Sequence, residues 1–234
     1  MPGHHDIEKA SIEATSPGEA LGHTNGSAAP YRPRPSSVGN PGSLGLFSFA
    51  STTFILSMFN LQTRDITHPN VVIGMAIFCG GLAQLLAGMW EFPRGNVFGG
   101  TAFTSYGAFW MSYATILIPG SGVLTAYGTN KAELQSALGI FLIAWTMVTL
   151  IFFIVSFGKN IAFLALFGLL TITFALLAAG ELADSVSTAK AGGGLGVIVA
   201  FIAYYTGISE LLSSEATPPF RLPIGLLHQN TKKA

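Results

Sequence analysis

The chain has 234 residues, half of them hydrophobic and 9% charged, with a mean hydropathy of +0.55, whereas soluble domains carry roughly a quarter charged residues. Basic and acidic residues number 11 each and no basic run exceeds Lys232-Lys233, which excludes a nucleic-acid binder. A single cysteine, Cys79, excludes an intrachain disulfide and a Cys-based metal cluster, and apolar runs of bilayer length define an all-α integral membrane protein in which the core is shared with lipid.

Residues 1–39 are polar, rich in Pro, Gly and Ser, and short of apolar material that would offset the entropy of ordering. They are expected to form a disordered cytosolic tail, and its His4-His5 pair carries no metal assignment. The tail has no apolar h-region, so the first spanning helix is expected to direct insertion.

At residues 40–54 the polar sequence turns apolar. Asn40 can cap a helix and Pro41 suits a first turn, because its missing N–H would be unpaired there. At helical spacing Phe49, Thr52, Thr53, Leu56 and Asn60 follow, so one face carries a ring, then hydroxyls and an amide. That face is a candidate wall for a passage.

Six apolar segments follow, at about 43–61, 70–90, 97–118, 134–157, 161–180 and 192–213, each near the roughly 20 residues that span a bilayer. The expected architecture is six transmembrane helices over 40–215, followed by a short cytosolic tail over 216–234. With both termini on one side, that side holds Lys9, Arg32, Arg34, Arg94, Lys159, Arg221, Lys232 and Lys233, and the other Arg64, Lys131 and Lys190. The bias places both termini in the cytosol.

The second segment aligns Ile77, Gly81, Gln84, Gly88 and Glu91 on one stripe. Gln84 is either interhelical glue or pathway lining, since polar groups at membrane depth face protein or a water-filled cavity. In the third segment Gly95 and Gly99 form a GxxxG, Thr101, Thr104, Ser105 and Ala108 share a face, and Tyr106, Trp110 and Tyr113 share the next. The fourth segment has no ionisable residue and reads as lipid-facing or oligomer-facing. The sixth opens on Gly192-Gly-Gly-Leu-Gly196, a packing device, and runs on to Glu210, an interfacial carboxylate or a proton carrier.

The motifs Asn40-Pro-Gly-Ser-Leu-Gly-Leu46 with Phe49, Gln84-x3-Gly88-x2-Glu91, and Gly95-Asn96-x-Phe98-x2-Thr101-x-Phe103-x-Ser105-Tyr106-Gly107-x-Phe109-Trp110 resemble the acetate uptake transporter family of microbes. The long tail is similar to that of its fungal members, the acetate permeases. The family's opening motif usually reads Asn-Pro-Ala-Pro-Leu-Gly-Leu, so Gly42-Ser43 is a departure that leaves one more N–H in the first turn. The resemblance implies a six-helix protomer in a homohexamer of the plasma membrane. It also implies a pathway for acetate and other small monocarboxylates in each protomer, with a hydrophobic gate at the positions of Phe49, Tyr106 and Leu170. Some relatives carry succinate, and some are linked to ammonia export.

A bare carboxylate in an apolar gate is destabilised, so the solute crosses with a proton or exchanges its hydration for donors. The candidate substrate-binding donors are Thr52, Thr53, Gln84, Asn96, Thr101, Thr104 and Ser105, and the candidate proton relays are Glu91 and Glu210. The sequence supplies no nucleophile motif, paired intramembrane carboxylates or His cluster, so no enzyme, cofactor or metal is expected. Ammonia or ammonium export is the rival within the transport class, and a non-transporting membrane receptor or scaffold is the rival outside it.

Overall fold

The computed structural model describes residues 38–225 and Leu227, so the expected disorder of the N-terminal tail concerns residues almost all of which lie outside the described ones. Among the described residues there are six long helices and no strand: α1 (Gly42–Asn60), α2 (Val72–Glu91), α3 (Val97–Leu117), α4 (Lys131–Ser156), α5 (Ile161–Leu182) and α6 (Val186–Ser214). Five are long and apolar enough to cross a membrane. The exception is α3, whose first half is interrupted by Gly99, Gly100, Thr101, Thr104, Ser105 and Gly107.

Short polar side chains set where the helices begin, because the first N–H groups of a helix need acceptors. Asn96 Oδ1 accepts from Gly99 N, Asn130 Oδ1 from Glu133 N, Asn160 Oδ1 from Phe163 N and Ser185 Oγ from Thr188 N. The cap at Ser185 starts α6 six residues before the expected 192. In α1 the expected register is off by one: Pro41 is the boundary residue, and Asn40 reaches inward from outside to accept Gly42 N at 3.0 Å. The Gly42-Ser43 pair forms an ordered first turn all the same, with Gly45 N donating to Pro41 O at 3.0 Å.

Residues Met75–Ala83 of α2 are π-helical, which rotates the side chains after them relative to a regular helix. The helices form a ring in the order α3, α2, α1, α6, α5, α4, with α1 packed on α6 and α5 on both α4 and α6. Aromatic side chains close the ring between α3 and α4, with Phe109 5.8 Å from Phe141 and 5.0 Å from Trp145, ring centre to ring centre. Glycines allow the close approaches. A Cβ on Gly107 would lie 2.7 Å from Leu85 Cβ, and one on Gly193 2.9 Å from Ser57 O. The glycine run of α6 is thus a packing surface, as expected. The Gly95–Gly99 pair is not: Gly95 sits at φ +78° in the α2–α3 turn, and Gly88, Gly100 and Gly107 make the contact instead.

The outward face of α4, with Ile140, Met147, Ile151 and Ile154, is apolar and exposed, and suits lipid or a neighbouring protein. Residues 221–225 do not form a free tail. They fold back along α5 and α6, where Ile161 N donates to Gly225 O at 2.7 Å and Tyr205 Oη to Pro223 O at 2.7 Å.

Candidate functional site

Two cavities lie inside the ring, one toward each end. The first, of about 70 Å³, opens among the start of α1, the end of α2, the start of α3, the α4–α5 link and the end of α6, and includes Gln84, Glu91, Asn96, Tyr106, Lys159 and Glu210 in its lining. The second, of about 120 Å³, lies toward the opposite ends of the helices, and includes Thr53, Asn60, Tyr113, Leu170, Thr173 and Glu181. Phe49 lines both. Each has room for a few waters or a small solute.

Between the two cavities the side chains are apolar or aromatic. Phe49, Tyr106 and Leu170 are all buried, and the rings of Phe49 and Tyr106 stand 5.6 Å apart. Tyr106 is held on several sides: its ring lies 6.0 Å from Trp145, 5.7 Å from Phe152 and 6.3 Å from Phe167, and its hydroxyl donates to Thr149 Oγ1 at 2.9 Å. Thr149 passes its own proton to Trp145 O at 2.7 Å, so both hydroxyls are satisfied without water.

The rim of the first cavity is a polar network. Glu91, 1% exposed, accepts from Arg94 at 2.9 Å and from Asn96 Nδ2 at 3.0 Å. Arg94 also donates to Asn40 Oδ1 at 2.7 Å, and Asn40 Nδ2 lies 3.4 Å from Glu210 Oε2. The α1 opening motif is in this way tied to the ends of α2 and α6. Gly42 is part of the fit, since a Cβ there would overlap Glu210 Oε2. Three buried polar atoms on residues that line the cavities, Gln84 Oε1, Thr53 Oγ1 and Trp110 Nε1, have no protein hydrogen-bond partner. A buried polar atom in that state costs about 1–3 kcal/mol, a penalty that water or a polar solute in the cavity removes.

The structure brings together Phe49, Thr53, Gln84, Glu91, Asn96, Tyr106, Leu170 and Glu210 around the two cavities. It does not bring Thr52, Thr101, Thr104 or Ser105 into the lining of either cavity. Thr52 is turned toward α2, donating to Ser48 O at 2.9 Å. Thr101 is exposed and donates to Val97 O at 2.8 Å. Thr104 Oγ1 is buried against Gly88, and half-buried Ser105 lines neither cavity. The face of α3 that meets the first cavity is instead Phe98, Gly99, Ala102, Phe103 and Tyr106, about one position around the helix. Sequence reading also passed over Thr149, on a helix given no chemistry, and Lys159, whose only signal was a charge in the Gly158–Asn160 break.

The described residues define a helical membrane protein whose bundle holds two end-to-end vestibules meeting at a plug of uncharged side chains. The chain belongs to the GPR1/FUN34/yaaH family, which it matches over residues 21–228. It superposes with a TM-score of 0.70 and 34% identity on a solved structure titled as that of the bacterial acetate channel SatP, over 81% of this chain and 100% of that one. The succinate-acetate/proton symporter SatP of Escherichia coli is 35% identical over 191 residues, 82% of this chain and 97% of its own. Ammonia transport outward protein 2 of Saccharomyces cerevisiae is 46% identical over 188 residues, 79% of this chain and 67% of its own. The chain spans between 62% and 67% of the length of several such fungal relatives.

Proposed function

We propose that the protein carries acetate and other small monocarboxylates across the membrane through the two vestibules of each protomer, with Phe49, Tyr106 and Leu170 as the gate. The observation that carries this reading is Phe49, which lines both cavities and stands in ring contact with Tyr106. A plug of rings and one leucine excludes hydrated ions and admits a small solute with a methyl end. Gln84 and Asn96 on one side of it, and Thr53 on the other, are the polar groups that replace the hydration of the carboxylate. This reading includes α3 as a sixth span, both termini in the cytosol, the plasma membrane as the site, and a homo-oligomer, a hexamer by family resemblance, joined through apolar outer faces such as that of α4.

Proton coupling, named for the Escherichia coli relative, fits Glu210 better than Glu91. Glu91 is paired with Arg94 and bonded by Asn96, whereas among the described residues the Glu210 carboxylate has a hydrogen bond from the Asn40 amide and no ion pair, and it opens on the vestibule. The relative named for outward ammonia transport supports a second reading, passage of ammonia through the same uncharged plug. Purified protein in liposomes, tested for flux of labelled acetate and of ammonia, separates the two. Acetate flux that falls at least tenfold, or loses its discrimination against larger acids, in Phe49→Ala and Tyr106→Ala supports the gate. Unchanged flux and size selectivity in both variants refute it, and ammonia flux without acetate flux favours the second reading.

A further inference from the structure

Two cations stand at the rim of the first vestibule, and they differ in what they are free to do. Arg94 is committed to Glu91 and Asn40. Lys159 lines the vestibule, and among the described residues no carboxylate lies within ion-pair distance of it; its Nζ rests 5.2 Å from the centre of the Phe98 ring, which itself lines the cavity. An ammonium over an aromatic face is held loosely enough to exchange that contact for an anion.

The backbone that carries Lys159 is fixed from outside the bundle. Residues 221–225, with Leu227, run as a strap across the α4–α5 link: Ile161 N donates to Gly225 O at 2.7 Å, Ala162 N to Ile224 O at 3.2 Å, and Leu227 N to Lys159 O at 3.4 Å. Ser209 Oγ and Tyr205 Oη pin the strap to α6 through Leu222 O and Pro223 O. Gly225, at φ +67°, makes the closest approach, where a Cβ would lie 2.8 Å from Ile161 Cδ1. The strap and the Asn160 cap together consume the N–H groups that open α5. That helix end is therefore not itself an anion site, and the positive charge left to the solute is Lys159 Nζ.

We propose that Lys159 is the residue that captures the carboxylate of a small organic acid at the rim of the first vestibule, and that the C-terminal strap positions it there. The proposal rests on the acid-pathway reading given above. It distinguishes capture from gating: Lys159 raises the local concentration of the anion, and the rings beyond it set the rate of passage.

Initial rates of acetate flux in liposomes, measured against acetate concentration at low and high salt, test it. Lys159→Gln is expected to raise KM roughly tenfold, the lower end for a focused charge, with little change in maximal rate and with loss of the salt dependence expected of the parent protein. Lys159→Arg is expected to restore both. Gly225→Ala, which keeps the charge but displaces the strap, is expected to raise KM in the same way, and Tyr205→Phe to a lesser degree. An unchanged KM, or a fall in maximal rate alone, in Lys159→Gln overturns the proposal. Acetate binding to the full-length protein in detergent, read by ligand-observed NMR, gives the answer without transport. If the parent protein binds acetate but moves none, the pathway reading fails while a weakened signal in Lys159→Gln upholds the capture site. No acetate binding by the parent, or equal binding by parent and variant, overturns the capture site itself.

Discussion

At the scale of single residues, the pathway proposed above places Glu210 where its charge matters to the solute. It faces the amide of Asn40 and the α1 end at Gly42, and it shares the vestibule with the Glu91–Arg94 pair and with Lys159. Glu210→Gln keeps the shape and removes the titration, and it is expected to flatten the dependence of acetate uptake on external pH. A profile identical to the parent's removes Glu210 as the proton carrier. The residues that sequence could supply are those whose role follows from helical spacing: Phe49, Thr53 and Tyr106 lie on stripes that do face the cavities. Leu170 came from family resemblance alone, because one leucine in an apolar helix has no pattern to mark it. Thr52 and Thr101 lie off the cavities for a physical reason. A hydroxyl that donates to its own helix, as Thr52 does to Ser48 O, looks the same in sequence as one that faces a pathway.

At the scale of elements, α2 and α3 meet through glycines rather than through interdigitated side chains. A Cβ on Gly88 would overlap Thr104 Oγ1 and lie 3.0 Å from Gly100 O, and one on Gly107 would lie 2.8 Å from Leu85 N. Since backbone cannot swing aside as a side chain can, Gly88→Val is expected to destabilise the folded protein by about 1–3 kcal/mol or more, as overpacked cores do. Gly74→Ala, in the same helix but with open space around it, is expected to be near neutral. Thermal unfolding of the two variants in detergent checks the difference, and equal midpoints would show that the α2–α3 contact is looser than it looks. The six apolar segments were legible because bilayer length and short polar breaks mark them. The π-helical stretch of α2 was not, since it changes how residues at 75–83 project without changing their composition.

At the scale of the whole molecule, the two ends of the ring are secured differently. The end near the first vestibule is tied by the partly buried Asn40–Arg94–Glu91 network, the other by an exposed pair in which Lys131 Nζ meets Asp184 at 3.0 Å, joined by Gln135 at 2.6 Å. The hydrogen bonds from Lys131 and then from Gln135 hold the Asp184 carboxyl below its ordinary value. A depressed carboxyl contributes stability above its unfolded pKa of about 3.9 and loses it as pH falls through the lower folded value. The effect is expected to be small, because the pair is exposed and screened. Asp184→Asn suits the same backbone at φ +47°, where Asn is tolerated, and is expected to remove the acid-side loss of thermal stability predicted for the parent at low salt. A parent and variant with superimposable acid profiles would show that the pair fastens nothing. How the helices close into a ring was beyond sequence reading, because α3 and α4 join through Phe109, Phe141 and Trp145, and any of those rings could equally have faced lipid.

The charged side chains of both vestibules sit toward their rims, and the plug between them carries none. On the pathway reading proposed above, the described residues place no gating charge in the plug, so the membrane potential acts on what passes and not on what opens. A solute that crosses as an anion meets about 2.3 kcal/mol for each 100 mV, while the neutral acid meets nothing. On that reading, the uncharged plug makes the protonation state of the cargo the quantity that the cell's voltage reads.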